Sequence, residues 1–93
     1  MNIAMILAGG TGTRVGASIP KQFIKIMDKP VLAYTLEIFQ ACESIHAIEI
    51  VCHEDWTDEV HKIVDKYAIT KTKWMVTGGA TFQESVMNGV FFL

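Results

Sequence analysis

The sequence has little of several features that would place it in a particular class of protein. Its 93 residues include only two cysteines and two prolines, and no apolar run reaches the length of a membrane-spanning helix. The formal net charge of −2 gives no broad attraction to nucleic acid. No secretory signal pattern opens the chain. We therefore expect a soluble, cytoplasmic protein with neither nucleic acid nor membrane as a partner.

Residues that could hold a metal ion are sparse and scattered. Cys42 and Cys52 stand alone, without the paired spacing of a metal site, so we expect two reduced thiols. The three histidines, at positions 46, 53 and 61, show no ligand spacing either. The sequence thus predicts no metal site within this chain.

Glycine is concentrated in one early segment. An apolar run over residues 2–7 ends in three glycines within four residues, at positions 9, 10 and 12, as a buried strand does where it breaks into a turn. Glycine allows the backbone to approach a ligand closely, and successive backbone N–H groups can form a concave site for an anion. Arg14 and Lys21 add two positive charges nearby. This combination suits a nucleoside triphosphate.

Other interpretations of this segment carry different functions. It could be a plain turn after a strand. It lacks the spacing of a Walker phosphate loop, and Pro20 interrupts the helix that a dinucleotide fingerprint requires after its glycines. A triphosphate loop and a plain turn therefore remain.

Hydrophobic spacing predicts the element order βαβαβα. Strands are expected over residues 3–7, 47–52 and 73–77, and helices over residues 30–41, 57–67 and 81–93. The continuous apolar character of the first strand predicts burial on both faces. Asp55 or Thr57 should cap the second helix, and Thr81 with Glu84 should form a capping box for the third. The predicted apolar stripes are Val31, Tyr34, Thr35, Ile38 and Phe39 on the first helix, and Val60, Ile63, Val64 and Tyr67 on the second.

This order predicts an α/β fold with a parallel sheet between helices. In such sheets, ligands bind beyond the carboxyl ends of the strands. A second glycine motif, Gly78-Gly79, follows the third strand as the first motif follows the first strand. Both motifs therefore belong to one edge of the sheet, and we expect them to form a single site.

Four segments together resemble the start of a known enzyme family. They are Leu-Ala-Gly-Gly-Thr-Gly-Thr-Arg at 7–14, Pro-Lys-Gln-Phe at 20–23, Asp-Lys-Pro-Val-Leu at 28–32, and Gly-Gly-Ala-Thr-Phe-Gln-Glu-Ser-Val-Met-Asn-Gly at 78–89. The chain resembles cytidylyltransferases that act on methylerythritol 4-phosphate or ribitol 5-phosphate. Sugar-phosphate nucleotidyltransferases share the glycine motif but usually carry a longer segment between the arginine and Pro-Lys.

The resemblance implies a Rossmann-like fold of the nucleotide-diphospho-sugar transferase type. It also implies the transfer of CMP from CTP to a polyol phosphate, in isoprenoid or teichoic acid synthesis. Arg14 and Lys21 would be the catalytic cations. Ser85 would offer its hydroxyl to cytosine, although it could instead bond to a carbonyl one turn earlier. Phe82 departs from the family, which usually has an arginine near this place. The implied nucleotide-binding residues are Leu7, Ala8, Gly9, Gly10, Thr11, Gly12, Thr13, Gly79, Ala80 and Ser85.

The resembled family is more than twice as long as this chain. Residues 1–93 are accordingly expected to be the amino-terminal, nucleotide-binding part of a single domain. Mg²⁺ ligands, the acceptor site and the arm of a homodimer would lie beyond residue 93, so these residues alone should be inactive. The alternatives are a sugar-1-phosphate nucleotidyltransferase, a nucleotide-binding fragment without activity, and an α/β domain whose glycine turns are only turns.

Overall fold

A computed structural model of the chain describes residues 1–8, 21–78 and 82–93. Short 3-10 helices cover Lys21–Phe23 and Glu54–Trp56. The strands are β1 (Ile3–Leu7), β2 (Lys25–Ile26), β3 (Lys29–Pro30), β4 (Ala47–Cys52) and β5 (Thr72–Thr77), and the α-helices are α1 (Val31–Ala41), α2 (Thr57–Lys66) and α3 (Phe82–Phe92).

Three of the strands form a parallel sheet in the order β1-β4-β5. The register pairs Ile6 with Ile50, and Ile50 with Met75. The predicted α/β fold with its parallel sheet is confirmed, and the three predicted strands lie within one residue of their observed bounds. The strands β2 and β3 form a separate antiparallel pair.

The main core lies between the sheet and helices α1 and α2. Every residue of the central strand β4 is buried, as expected for a parallel strand with neighbours on both sides. Ile48 and Ile50 of β4 are fully buried in one cluster with Val60 and Ile63 of α2. Full burial of each such side chain contributes roughly 1.5–3 kcal/mol. The predicted stripe of α2 is confirmed, because Val64 and Tyr67 also pack on this cluster.

The helix α1 was predicted correctly, but its predicted stripe was mostly wrong, although Phe39 does pack against the core. Its buried residues are Leu32, Ala33 and Leu36, whereas the side chain of Ile38 is exposed. Apolar residues surround most of this helix, so their spacing does not single out one face. The prediction that Pro30 opens the helix differs by one residue, since Pro30 is its N-cap.

The first strand alternates between two environments. Ala4 and Ile6 are buried in the core, while Ile3, Met5 and Leu7 are only partly buried. The expectation of burial on both faces is therefore wrong for β1. The other face of the sheet is covered by α3, which makes most of its sheet contacts with β4 and β5. That arrangement covers β4 completely and the neighbouring β1 incompletely.

An acidic side chain occupies the middle of the buried central strand. Glu49 has no exposed surface, and neither of its carboxylate oxygens has a hydrogen-bond partner in the described part of the chain. Its neighbours in the register are Met5 on β1 and Trp74 on β5. Burial raises the pKa of the Glu49 carboxyl, because the charged form loses its hydration.

We expect Glu49 to make the protein less stable as the pH rises. In the unfolded chain the pKa of Glu49 is about 4.3. Between that value and the raised pKa of the folded state, the folded protein binds more protons than the unfolded chain does. The free energy of unfolding therefore decreases as the pH rises through this window. Glu49→Gln should remove that decrease. The measurement is urea unfolding at about pH 5 and about pH 8.

The matched control is Glu43→Gln, which removes the same charge from an exposed position. It should keep the wild-type difference in unfolding free energy between the two pH values. An equal difference in wild type and Glu49→Gln would show that Glu49 does not titrate in this window.

Candidate functional site

The two glycine motifs leave the sheet on either side of the same strand end. The N–H of Ala8 donates to the Val51 carbonyl oxygen at 2.8 Å, which extends the pairing of β1 with β4 by one residue. The N–H of Gly78 donates to the Cys52 carbonyl oxygen at 2.8 Å, which does the same for β5. The two motifs thus begin two strand spacings apart, or roughly 10 Å. The predicted shared edge is confirmed for these two starting points.

Glycine at position 78 makes room for Ser85. A Cβ atom at Gly78 would lie 2.8 Å from Ser85 Oγ, closer than real Cβ contacts allow. Ser85 stands near the start of α3 and is 8% exposed. The end of β5 and the start of α3 therefore meet at this hydroxyl, beside the carboxyl edge of the sheet. Whether Ser85 contacts cytosine stays a prediction.

The predicted site residues fall partly outside the described residues. Leu7 is the last residue of β1, and Ala8 is fully buried beside β4. Lys21 opens the first 3-10 helix, at Lys21–Phe23. The site residues that lie outside the described ranges are Gly9, Gly10, Thr11, Gly12, Thr13, Arg14, Gly79 and Ala80, and the predicted capping residue Thr81 lies outside them too.

An aromatic stack holds the 3-10 helix that carries Lys21. Phe23 is buried, and its ring lies 4.6 Å from that of Trp56, centroid to centroid, at an interplanar angle of 16°. This pair was not predicted, because the two residues are far apart in the chain. The only signal was an apolar Phe directly after Pro-Lys-Gln, together with a Trp soon after the central strand.

The chain reaches α2 through the second 3-10 helix, Glu54–Trp56. His53 Nδ1 accepts a hydrogen bond from the N–H of Asp55 at 3.1 Å and caps this short helix. The N-cap of α2 is Trp56, whose side chain makes no capping bond. The predicted cap at Asp55 or Thr57 is wrong, because the 3-10 helix runs directly into α2 and moves the capping position upstream to His53.

The described residues do not fit a metal centre. No three of their His, Cys, Asp and Glu side chains come together closely enough to hold an ion. His46 Nδ1 instead accepts a hydrogen bond from the N–H of Asn2 at 2.9 Å. Among the described residues, both cysteines are free thiols, and no helix has the length and apolar character to cross a membrane.

Comparison with known proteins gives a consistent result. The family described as IspD, 2-C-methyl-D-erythritol 4-phosphate cytidylyltransferase, matches residues 2–93. A ribitol-5-phosphate cytidylyltransferase of Vibrio parahaemolyticus is 48% identical over 91 residues, which are 97% of this chain and 38% of the relative. A 2-C-methyl-D-erythritol 4-phosphate cytidylyltransferase of Clostridium botulinum is 45% identical over 89 residues, which are 96% of this chain and 39% of that relative. The chain thus spans about two fifths of these curated relatives.

Solved structures share the fold. The 4-diphosphocytidyl-2C-methyl-D-erythritol synthase of Anaerococcus prevotii superposes with a TM-score of 0.75 at 27% identity, covering 98% of this chain and 37% of that one. A UDP-glucose pyrophosphorylase complexed with UDP-glucose superposes with a TM-score of 0.65 at 17% identity, covering 100% of this chain and 41% of that one. The second likeness shows the fold alone. Both agree with a nucleotide-diphospho-sugar transferase type of α/β fold.

Proposed function

This chain belongs to the 2-C-methyl-D-erythritol 4-phosphate cytidylyltransferase (IspD) family, and from that membership we propose that residues 1–93 are the nucleotide-binding part of a single cytidylyltransferase domain. The full-length protein would transfer CMP from CTP to a polyol phosphate and release pyrophosphate. The observation that carries the proposal is the sheet edge at which Ala8 and Gly78 flank the end of β4. Two motifs that begin roughly 10 Å apart can contact the two ends of one nucleotide.

The reaction needs positioning and positive charge more than covalent help from the protein. A phosphate oxygen of the acceptor forms a bond to the α-phosphorus of CTP. The bond from that phosphorus to the bridging oxygen breaks, and its electron pair leaves with pyrophosphate. Negative charge grows on the phosphoryl oxygens in the transition state, where fixed cations and backbone donors stabilise it. We assign Arg14 and Lys21 as those cations.

The first motif would hold the triphosphate, and the second would hold the base and ribose. Backbone N–H groups of the first motif suit phosphate oxygens, since small residues let the backbone approach them. Ser85 supports the assignment of the second motif by its position beside Gly78 at the same edge. The proposed nucleotide contacts are Leu7, Ala8, Gly9, Gly10, Thr11, Gly12, Thr13, Gly79, Ala80 and Ser85.

The proposal also covers the metal ion, the oligomeric state, the location and the acceptor of the full-length protein. We propose Mg²⁺ as the ion that accompanies CTP, with its carboxylate ligands outside residues 1–93, and a homodimeric, cytoplasmic enzyme. The acceptor is ribitol 5-phosphate or methylerythritol 4-phosphate, because relatives carrying either name match this chain at similar identity. The runner-up is a sugar-1-phosphate nucleotidyltransferase, which the likeness to a pyrophosphorylase favours at the level of fold.

A nucleotide and acceptor panel tests these choices. The full-length protein is incubated with CTP or UTP, with Mg²⁺, and with ribitol 5-phosphate, methylerythritol 4-phosphate or glucose 1-phosphate, and pyrophosphate release is measured. Release that requires CTP and one of the polyol phosphates supports the proposal and identifies the acceptor. Release with UTP and glucose 1-phosphate supports the runner-up. A protein that binds CTP but releases no pyrophosphate with any acceptor would be a binding protein, and the proposal would fail.

A further inference from the structure

We propose that Trp56 is a positioning residue for Lys21, acting through the ring of Phe23. This inference rests on the proposed function, because it takes Lys21 as a catalytic cation. It goes beyond that function by assigning a role to Trp56, which lies between the second 3-10 helix and α2 and is not among the proposed nucleotide contacts. The carrying observation is the near-parallel stack of Phe23 and Trp56.

The turn that bears Lys21 cannot fix its own orientation. It is a three-residue 3-10 helix, too short to be stable without contacts to other elements. On the Phe23 side it is held by the ring of Trp56 and by the chain that leads into α1, and α1 itself packs against it. The Phe23 side chain is 7% exposed and stacks on Trp56, and the next residue, Ile24, accepts a hydrogen bond from the N–H of Val31 at 3.0 Å. The bond to Val31 fixes the chain after the turn, and the stack fixes the turn itself.

Trp56 is a firm support because it belongs to a tightly bonded corner. The second 3-10 helix follows directly after the buried strand β4, and the N–H of Trp56 donates to the His53 carbonyl oxygen at 2.9 Å. Trp56 is also the N-cap of α2, whose Val60 is fully buried in the core. The backbone of Trp56 is therefore held between β4 and α2, and its side chain packs against the buried core.

This corner lies at the functional edge of the sheet. The end of β4, from which Trp56 follows after four residues, is the strand end that Ala8 and Gly78 flank. The stack thus connects the Lys21 turn to the same edge that carries both glycine motifs. A catalytic cation must be placed accurately, since a displacement of about 1 Å can lower a rate by about 10²-fold. Loss of the stack should therefore act on the rate of the chemical step.

The test compares Trp56→Leu with Trp56→Phe in the full-length enzyme. Leucine keeps apolar bulk but removes the stacked ring, whereas phenylalanine keeps a ring. We expect Trp56→Leu to lower kcat by about tenfold and to change the KM for CTP by less than about twofold. Trp56→Phe should retain most of the wild-type kcat. Trp74→Leu is the matched control, because it removes the other tryptophan from a strand away from the Lys21 turn. It should leave kcat near the wild-type value.

A double-mutant cycle separates positioning from a general structural role. In a Lys21→Ala background, Trp56→Leu should lower kcat no further, because its effect passes through Lys21. A full additional tenfold loss would overturn the proposal, as would unchanged kcat in a folded Trp56→Leu variant. If Trp56→Leu does not fold, Phe23→Leu tests the same stack from the other side. Failure of the proposed function is a different result, namely a wild-type enzyme that releases no pyrophosphate with any acceptor. Normal turnover in Lys21→Ala would overturn the present inference while leaving the proposed function in place.

Discussion

Lys21→Ala should lower kcat of the full-length enzyme by about 10²-fold or more, which is the scale of losing one donor that stabilises a developing anion. Lys21 directly follows Pro20 in the sequence and opens the short 3-10 helix Lys21–Phe23, so its backbone belongs to a short turn rather than to a long helix. Arg14→Ala should have an effect of the same order. The measurement is the steady-state rate of pyrophosphate release at saturating CTP and acceptor.

The matched control is Lys25→Ala. Lys25 lies a few residues further along, on the exposed strand β2, and its removal takes away the same charge from the same segment. It should change kcat less than about twofold, because Lys25 is exposed and salt screens the charge of an exposed side chain. Thermal unfolding of all three variants should stay close to wild type. Near-normal turnover in folded Lys21→Ala or Arg14→Ala would remove that residue from the catalytic set.

Most of the fold could be predicted because local and global signals agree. The central strand β4 is apolar at five of six positions, and a strand buried on both faces needs that composition. In α2, charged residues alternate with a narrow apolar stripe, so periodicity alone identifies the face that meets the core. The shared edge of the two glycine motifs followed from topology, because parallel strands bring their carboxyl ends together.

The remaining features depend on residues that meet only after folding. The face of α1 was mispredicted because its apolar residues surround the helix, and only the position of the sheet selects Leu32 and Leu36. The stack of Phe23 on Trp56 joins segments 33 positions apart, and no spacing rule covers such a pair. The burial of Glu49 has the same origin, because α3 packs on β4 and leaves this side chain no exposed surface. In each case the environment of the side chain depends on which elements pack against each other in the folded chain.

Gly89→Val should destabilise the full-length protein and loosen the second nucleotide motif at the same time. A Cβ atom at Gly89 would lie 2.5 Å from Met5 Sδ, 2.8 Å from Val51 Cγ2 and 3.1 Å from Glu49 Oε1. The methionine can move aside, but the valine is short and belongs to the central strand, so α3 itself must shift. Replacing glycine in a helix gains less than about 1 kcal/mol. Overpacking typically costs about 1–3 kcal/mol, so the clash should win.

The consequence for function follows from the geometry of α3. This helix carries Ser85 one turn before Gly89, and Ser85 Oγ lies 2.8 Å from the position that a Cβ of Gly78 would take. A helix displaced from the sheet carries that hydroxyl away from the edge, so the KM for CTP should rise by about tenfold, a loss of about 1.4 kcal/mol in binding. A net loss of about 2 kcal/mol in stability should lower Tm by roughly 4–8 °C.

The matched control is Met87→Val, which places the same side chain on the exposed face of α3 and should leave Tm and the KM for CTP near wild type. An unchanged Tm in Gly89→Val would mean that α3 does not rest on the sheet through this glycine, and a lowered Tm with unchanged KM would separate α3 from the nucleotide site.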